Sequence, residues 1–182
     1  LVVQWQLISN KDESYIIDVA GRQRMFSQKI TKDILVLKND TTGNTNENRS
    51  NLSKSLSEFK SVHENLKTRS VGKYKGQNTD QINNLYSQIT PYYDQLIAAA
   101  ECYLNGAQDC EDKHSSLLSV ESNFLELMNQ IVRTYSRDLE QSLQTIQNIE
   151  FFLIALILAL LLFEAFYIFK PAIKLVKSSI AS

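Results

Sequence analysis

Phe124, Met128, Ile131, Tyr135, Leu139, Leu143, Ile146 and Ile149 step forward by three or four residues. They lead into Phe151-Phe152-Leu153-Ile154-Ala155-Leu156-Ile157-Leu158-Ala159-Leu160-Leu161-Leu162-Phe163. That spacing is one face of an α-helix, and no proline or glycine interrupts residues 124–169. The amphipathic stretch and the apolar run are therefore expected to be one rod. Ala165 to Phe169 extends the run past Glu164. The resulting span, 151–169, is about 28 Å long as a helix at 1.5 Å per residue, close to the hydrocarbon thickness of a bilayer. A charge at mid-bilayer costs about 3 kcal/mol, so Glu164, near the end of the span, is expected at the headgroups or facing a partner helix.

Lys170, Lys174 and Lys177 follow, with no acidic residue from 170 to 182. The positive-inside rule puts this end in the cytoplasm and the preceding residues outside. Leu1 to Ile8, with Trp5 as an interfacial anchor, reads as the outer end of an earlier membrane helix. The chain itself reads as a piece of a longer protein. The expected layout is the end of a first membrane helix over 1–9, an external domain over 10–149, a transmembrane helix over 150–169 and the start of a cytoplasmic linker over 170–182.

Within the external part, residues 10–38 read as one helix, followed by turn chemistry over 39–46. A second helix is expected over 49–68, with Leu52, Leu56, Phe59, Val62 or His63, and Leu66 at helical spacing. Residues 71–78 read as a loop. A third helix runs from a Thr79 cap to about Leu104, bent or restarted at Thr90-Pro91, with Gly106 as its C-cap. The fourth begins near Asp112. Four helices with short connections predict an all-α fold, an antiparallel up-down four-helix bundle followed by a transmembrane helix.

Composition supports this. The 182 residues include only 5 glycines and 2 prolines, too few for a turn-rich sandwich or barrel. The formal net charge of −1 argues against nucleic acid as a partner. Residues 170–182 carry +3, Glu150 and Glu164 −2, and residues 1–149 another −2. The external domain has no global pull on anions, so any anion attraction there must be local. No Cys/His spacing suggests a metal, no cofactor motif is present, and no nucleophile–base pair suggests an enzyme. Cys102 and Cys110 flank the turn after the third helix, and a disulfide between them is permitted outside the membrane; two free thiols are the alternative. Tyr86, Tyr92, Tyr93 and Tyr103 read as core and interface aromatics, and His63 and His114 as surface residues.

The first helix carries the chemistry. At 100° per residue Val19, Phe26, Ile30 and Leu37 share one face, and Ile17, Gly21, Arg24, Gln28 and Leu35 the opposite one. Gly21 alone among the glycines falls inside a predicted helix, where it costs about 1 kcal/mol relative to alanine. A helix apolar on two sides has two packing partners, here the bundle core and a second subunit. Pairing the second face about a two-fold axis brings two Arg24 side chains together, and a small planar oxyanion suits two guanidinium forks. Arg22 is turned away from Arg24. The other reading makes Arg22, Arg24 and Lys29 solvated helix charges beside Asp18 and Asp33.

The stretch Asp12 to Lys29, with Ala20-Gly21-Arg22-Gln23-Arg24-Met25-Phe26-Ser27-Gln28 at its centre, resembles the signature helix of the PilJ/NarX-like sensor domains, found in bacterial nitrate/nitrite sensor kinases and in some methyl-accepting chemotaxis proteins. The Gly-Arg-Gln-Arg form is nearest the PilJ branch. Ile89 to Tyr93 through Ala98-Ala99-Ala100 is a weaker likeness to the family's third helix, and Pro171 after the span fits as well. The resemblance implies a periplasmic homodimeric four-helix bundle, with nitrate or nitrite on the dimer axis between paired first helices. By that likeness the ligand-binding set is Arg24, Gly21, Ala20 and Gln28. The sequence departs from the pattern at Val19, which supplies no charge two positions before Gly21, and Asp18 adds an acid.

The reading that follows is the sensor portion of a two-component or chemotaxis receptor in the bacterial inner membrane, non-enzymatic within these residues. The rival is a membrane-anchored dimerisation scaffold without a small-molecule ligand.

Overall fold

In the computed structural model, which describes the backbone of residues 2–39, 45–71, 74–106, 110 and 116–169 and side chains from residue 14 to 167 within those ranges except 74 and 75, the apolar periodicities become four helices. These are α1 (Val2–Lys38), α2 (Thr45–Lys67), α3 (Asp80–Asn105) and α4 (Leu117–Glu164), with a π-helical turn over Ala165–Phe169. Residues 1–139 form one compact unit and 140–182 a second.

The first unit is an up-down-up-down bundle, as side-chain pairs show. Gln23 meets His63 while Lys29 meets Ser55, so α1 and α2 run antiparallel. Phe59 packs on Tyr93 and His63 on Tyr86, so α2 and α3 are antiparallel. Phe59 meets Phe124, and Tyr135 reaches Leu66, so α2 and α4 are parallel. Ile16, Ile30, Ile34, Leu52, Phe59, Ile82, Ile89, Leu96, Phe124, Met128 and Ile131 fill the centre. Burying each such side chain contributes about 1.5–3 kcal/mol.

Helix ends follow local chemistry. Thr79 caps α3, its Oγ1 accepting from the Ile82 N–H at 3.4 Å. Gly106 closes α3 at φ 67°, ψ 27°, its N–H directed at the Cys102 and Tyr103 carbonyls; the left-handed φ there favours glycine. A Cβ at Gly106 would also stand 3.1 Å from the Arg49 guanidinium. Arg69 takes the left-handed position after α2, at φ 48°. Asn78 then caps α2 from a distance, donating to the Leu66 and Lys67 carbonyls at 3.0 Å while accepting from the Tyr135 hydroxyl at 2.8 Å. Cys102 and Cys110 are joined by a disulfide.

Three expectations change. The stretch read as a loop over 71–78 contains a two-residue antiparallel ladder, Ser70–Val71 with Tyr74–Lys75. Strands that short have no period to read. α3 neither stops nor restarts at Pro91; Thr90 Oγ1 donates to the Tyr86 carbonyl at 2.7 Å in the same turn. His63 is not a surface residue: it is 1% exposed. His114, Lys170, Pro171, Lys174, Lys177 and the side chains of the Leu1–Ile8 stretch lie outside the described residues.

In the second unit, Phe151 to Phe163 expose their side chains along the whole helix. Among the described residues this is the one helix long and apolar enough to cross a membrane, and none of that stretch is buried by the chain. Phe163 and Tyr167 stack with ring centres 4.7 Å apart.

Candidate functional site

The motif helix α1 divides into two faces. Inward it buries Ile16, Val19, Ala20, Gln23, Phe26, Ser27, Ile30, Thr31 and Ile34, each three or four residues from the next on its row. Outward it presents Gly21, Arg24 and Gln28, with Ile17 and Leu35 half-buried at the two ends of the stripe.

The structure brings Arg24, Gly21 and Gln28 onto one face. Arg24 and Gln28 are exposed, and their side chains make no hydrogen bond or ion pair among the described residues. A Cβ built on Gly21 would meet nothing within 4 Å. The chain's own packing therefore gives no steric reason for glycine there. Ala20 is separated from these three: its side chain is fully buried in the core, and only its backbone remains to serve the outward face. The helix turns 100° between consecutive residues, so neighbours in the motif are not neighbours on the surface.

Three other motif residues make contacts within the chain. Arg22, itself exposed, lies over the Phe26 ring, its guanidinium 5.8 Å from the ring centre. Ser27 Oγ donates to the Arg24 carbonyl at 2.8 Å, satisfying a hydroxyl that would otherwise be buried unpaired. Lys29 pairs with Asp33 at 3.6 Å and donates to the buried Ser55 hydroxyl, so it belongs to the α1–α2 seam.

Sequence reasoning missed the polar layer beneath this face. Gln23, fully buried, places its Nε2 3.4 Å from His63 Nδ1. His63 stacks on Tyr93 at 3.7 Å between ring centres and takes Tyr86 edge-on at 5.6 Å. Burial, followed by the positive charge of Lys67, pushes the His63 pKa down to about 4, so the ring is neutral near pH 7. Burial, and then Glu64 and Asp94, push Tyr93 up to about 12; burial is also the first cause that raises Tyr86. The available signal was positional: Gln23 stands four residues after Val19 and three before Phe26, inside the core stripe.

A family model, PilJ, described as the N-terminal part of type IV pili methyl-accepting chemotaxis transducers, matches residues 5–119. That stretch takes in both faces of α1, all of α2 and α3 and the start of α4. No curated protein and no solved structure matches the chain. With well over half of its residues matched, the chain belongs to the PilJ family of chemotaxis-transducer N-terminal domains, which are sensory and non-catalytic.

Proposed function

We propose that this chain is the ligand-sensing portion of a bacterial transmembrane receptor. It pairs with a second copy through the outward face of α1 and holds nitrate or nitrite between two Arg24 side chains. One observation carries this reading. Gly21, Arg24 and Gln28 form an outward stripe with no packing role among the described residues, on a helix whose other face builds the core. Two guanidinium groups meeting at a two-fold axis repel each other, and a planar oxyanion between them accepts from both forks. Each such charge-assisted bond contributes about 1.5–3 kcal/mol. Three or four, less ordering costs, support affinity near micromolar, about −8 kcal/mol. Gly21 leaves the anion room beside the helix backbone, and Gln28 supplies an amide donor one turn on.

The external domain of the proposed layout, residues 10–149, stands in the periplasm, between a first membrane helix ending in 1–9 and the span over 150–169. Lys170, Lys174 and Lys177 hold the far end at the cytoplasmic side. Anion binding shifts the packing of the paired α1 helices against the bundle. α4, helical from Leu117 to Glu164, carries that shift toward the membrane and the linker over 170–182.

Calorimetry with sodium nitrate and sodium nitrite on the full chain in nanodiscs tests this, with mass measurement of the protein in the disc. The expected result is a dimer that takes up one anion per pair of chains and loses at least about tenfold in affinity in Arg24→Ala. A chain that binds neither anion below about millimolar concentration overturns the ligand. Binding unchanged in Arg24→Ala overturns the site. A dimer that binds no anion returns the scaffold reading.

A further inference from the structure

Away from the Arg24 stripe, α1 and α2 enclose a groove of about 350 Å³, within the range of small-molecule sites. Its apolar wall is Phe26, from the core, and Met25, which is 49% exposed and whose flexible thioether adapts to varied shapes. Its polar floor is built rather than incidental. Ser55 is 1% exposed. Its hydroxyl accepts from Lys29 Nζ, and its single proton is directed at the Asn51 carbonyl at 2.8 Å or Asp33 Oδ2 at 3.2 Å. That network fixes the Lys29 ammonium at the groove. At the mouth stand Lys54 and Glu58, one turn apart on α2 and on the lining of the same groove. They form no ion pair with each other, although i,i+4 lysine and glutamate ordinarily pair on a helix surface.

The groove therefore holds two cations and a carboxylate beside an apolar wall, with the Asp33 carboxylate already spent on Lys29. A bare oxyanion placed there meets Glu58 as well as the lysines. A molecule carrying opposite charges on one carbon meets both. We infer that this groove binds an uncharged α-amino acid as its zwitterion. The carboxylate lies between Lys54 and Lys29, the ammonium lies on Glu58, and an aliphatic or thioether side chain lies against Met25 and Phe26. This site is separate from the Arg24 stripe and does not depend on anion binding there.

The test is calorimetry on the full chain in nanodiscs with L-leucine and L-methionine. It is repeated with isocaproate, which lacks the ammonium, and isoamylamine, which lacks the carboxylate. At least one amino acid is expected to bind saturably below about millimolar, with each truncated analogue weaker by about tenfold or more. Lys54→Ala and Glu58→Gln, both changes at the groove mouth, lower amino-acid affinity by a similar factor, whereas Arg24→Ala leaves it unchanged. Failure of both amino acids to bind at about 10 mM overturns the proposal. So does isocaproate matching leucine, or binding indifferent to both α2 substitutions. Sodium nitrate binding that is lost in Lys54→Ala and retained in Arg24→Ala overturns the zwitterion assignment and moves the oxyanion to this groove.

Discussion

The two faces of α1 are built from the same eighteen-residue stretch and obey opposite rules. Inward, most polar side chains are committed: Gln23 Nε2 to His63, Ser27 to its own helix backbone, Ser55 of the facing helix to Lys29, while the buried Thr31 hydroxyl and Gln23 Oε1 have no partner among the described residues. Outward, Gly21, Arg24 and Gln28 are committed to nothing among the described residues. A folded domain has no thermodynamic use for a mid-helix glycine with empty space beyond it, since alanine there would be better by about 1 kcal/mol. The inner face thus accounts for stability, and the outer face is where a function has to be sought. That division makes quantitative demands on substitutions.

The largest effect belongs to the centre of the inner face. Ile30 is fully buried in the core cluster, so Ile30→Ala removes buried methylenes and leaves a cavity. The expected loss is about 2–5 kcal/mol, read as a lower denaturation midpoint of the full chain in detergent. A loss no larger than that of an outer-face substitution would erase the distinction between the faces.

Next comes the polar layer. His63 is held at a pKa of about 4, against 6.5 for the free side chain, first by burial and then by Lys67. The unfolded chain takes up its proton first as pH falls. The stability due to the neutral ring is therefore whole above pH 6.5 and drains away toward pH 4, by about 3 kcal/mol at the limit. Thermal melts between pH 7 and pH 4 are expected to show that slope, and His63→Phe, which keeps a ring against Tyr93, to flatten it. An unchanged slope in His63→Phe assigns acid sensitivity to the carboxylates instead.

These effects also mark where sequence stops being informative. The helices, the Thr79 cap, the Gly106 terminus and the unbroken α4 are local properties, written in spacing and in one or two residues. The outward grouping of Gly21, Arg24 and Gln28 follows from helical angle alone. The Gln23–His63 contact is different in kind. It joins positions 40 residues apart, and periodicity detects a core by its apolar members, so a glutamine or histidine within the stripe reads as a gap. Ala20 parts from that grouping for the reverse reason: its side chain is buried, and adjacency to Gly21 in a motif says nothing about sharing its face. The Ser70–Lys75 hairpin is set by α2 and α3 meeting across a short connection, which no two-residue strand encodes.

Smaller, and opposite in sign, is Gly21→Ala. Nothing lies within 4 Å of the added methyl, so the chain is expected to gain about 0.4–1 kcal/mol through lower unfolded-state entropy and better helix propensity. If the outward face holds an anion against the helix backbone, the same substitution weakens nitrate binding. A stabilised chain with reduced nitrate affinity separates folding from function at one atom. A destabilised chain would mean that Gly21 serves internal packing after all.

The smallest effect on stability, and the one that sharpens the comparison most, is Arg24→Ala. An exposed arginine without an ion pair among the described residues contributes little, so the denaturation midpoint should shift by no more than about 0.5 kcal/mol. The proposed pairing gives a further readout. With no anion present, two Arg24 guanidiniums facing each other across a two-fold axis oppose association, and removing them should tighten the dimer; added nitrate should tighten the unsubstituted dimer and leave the Arg24→Ala dimer unaffected. Sedimentation of the full chain in detergent, with and without nitrate, measures both terms. A dimer weakened by Arg24→Ala in the absence of anion would mean that the arginine is satisfied by acidic side chains of the partner, and the outward face would then be an adhesive surface rather than a sensor.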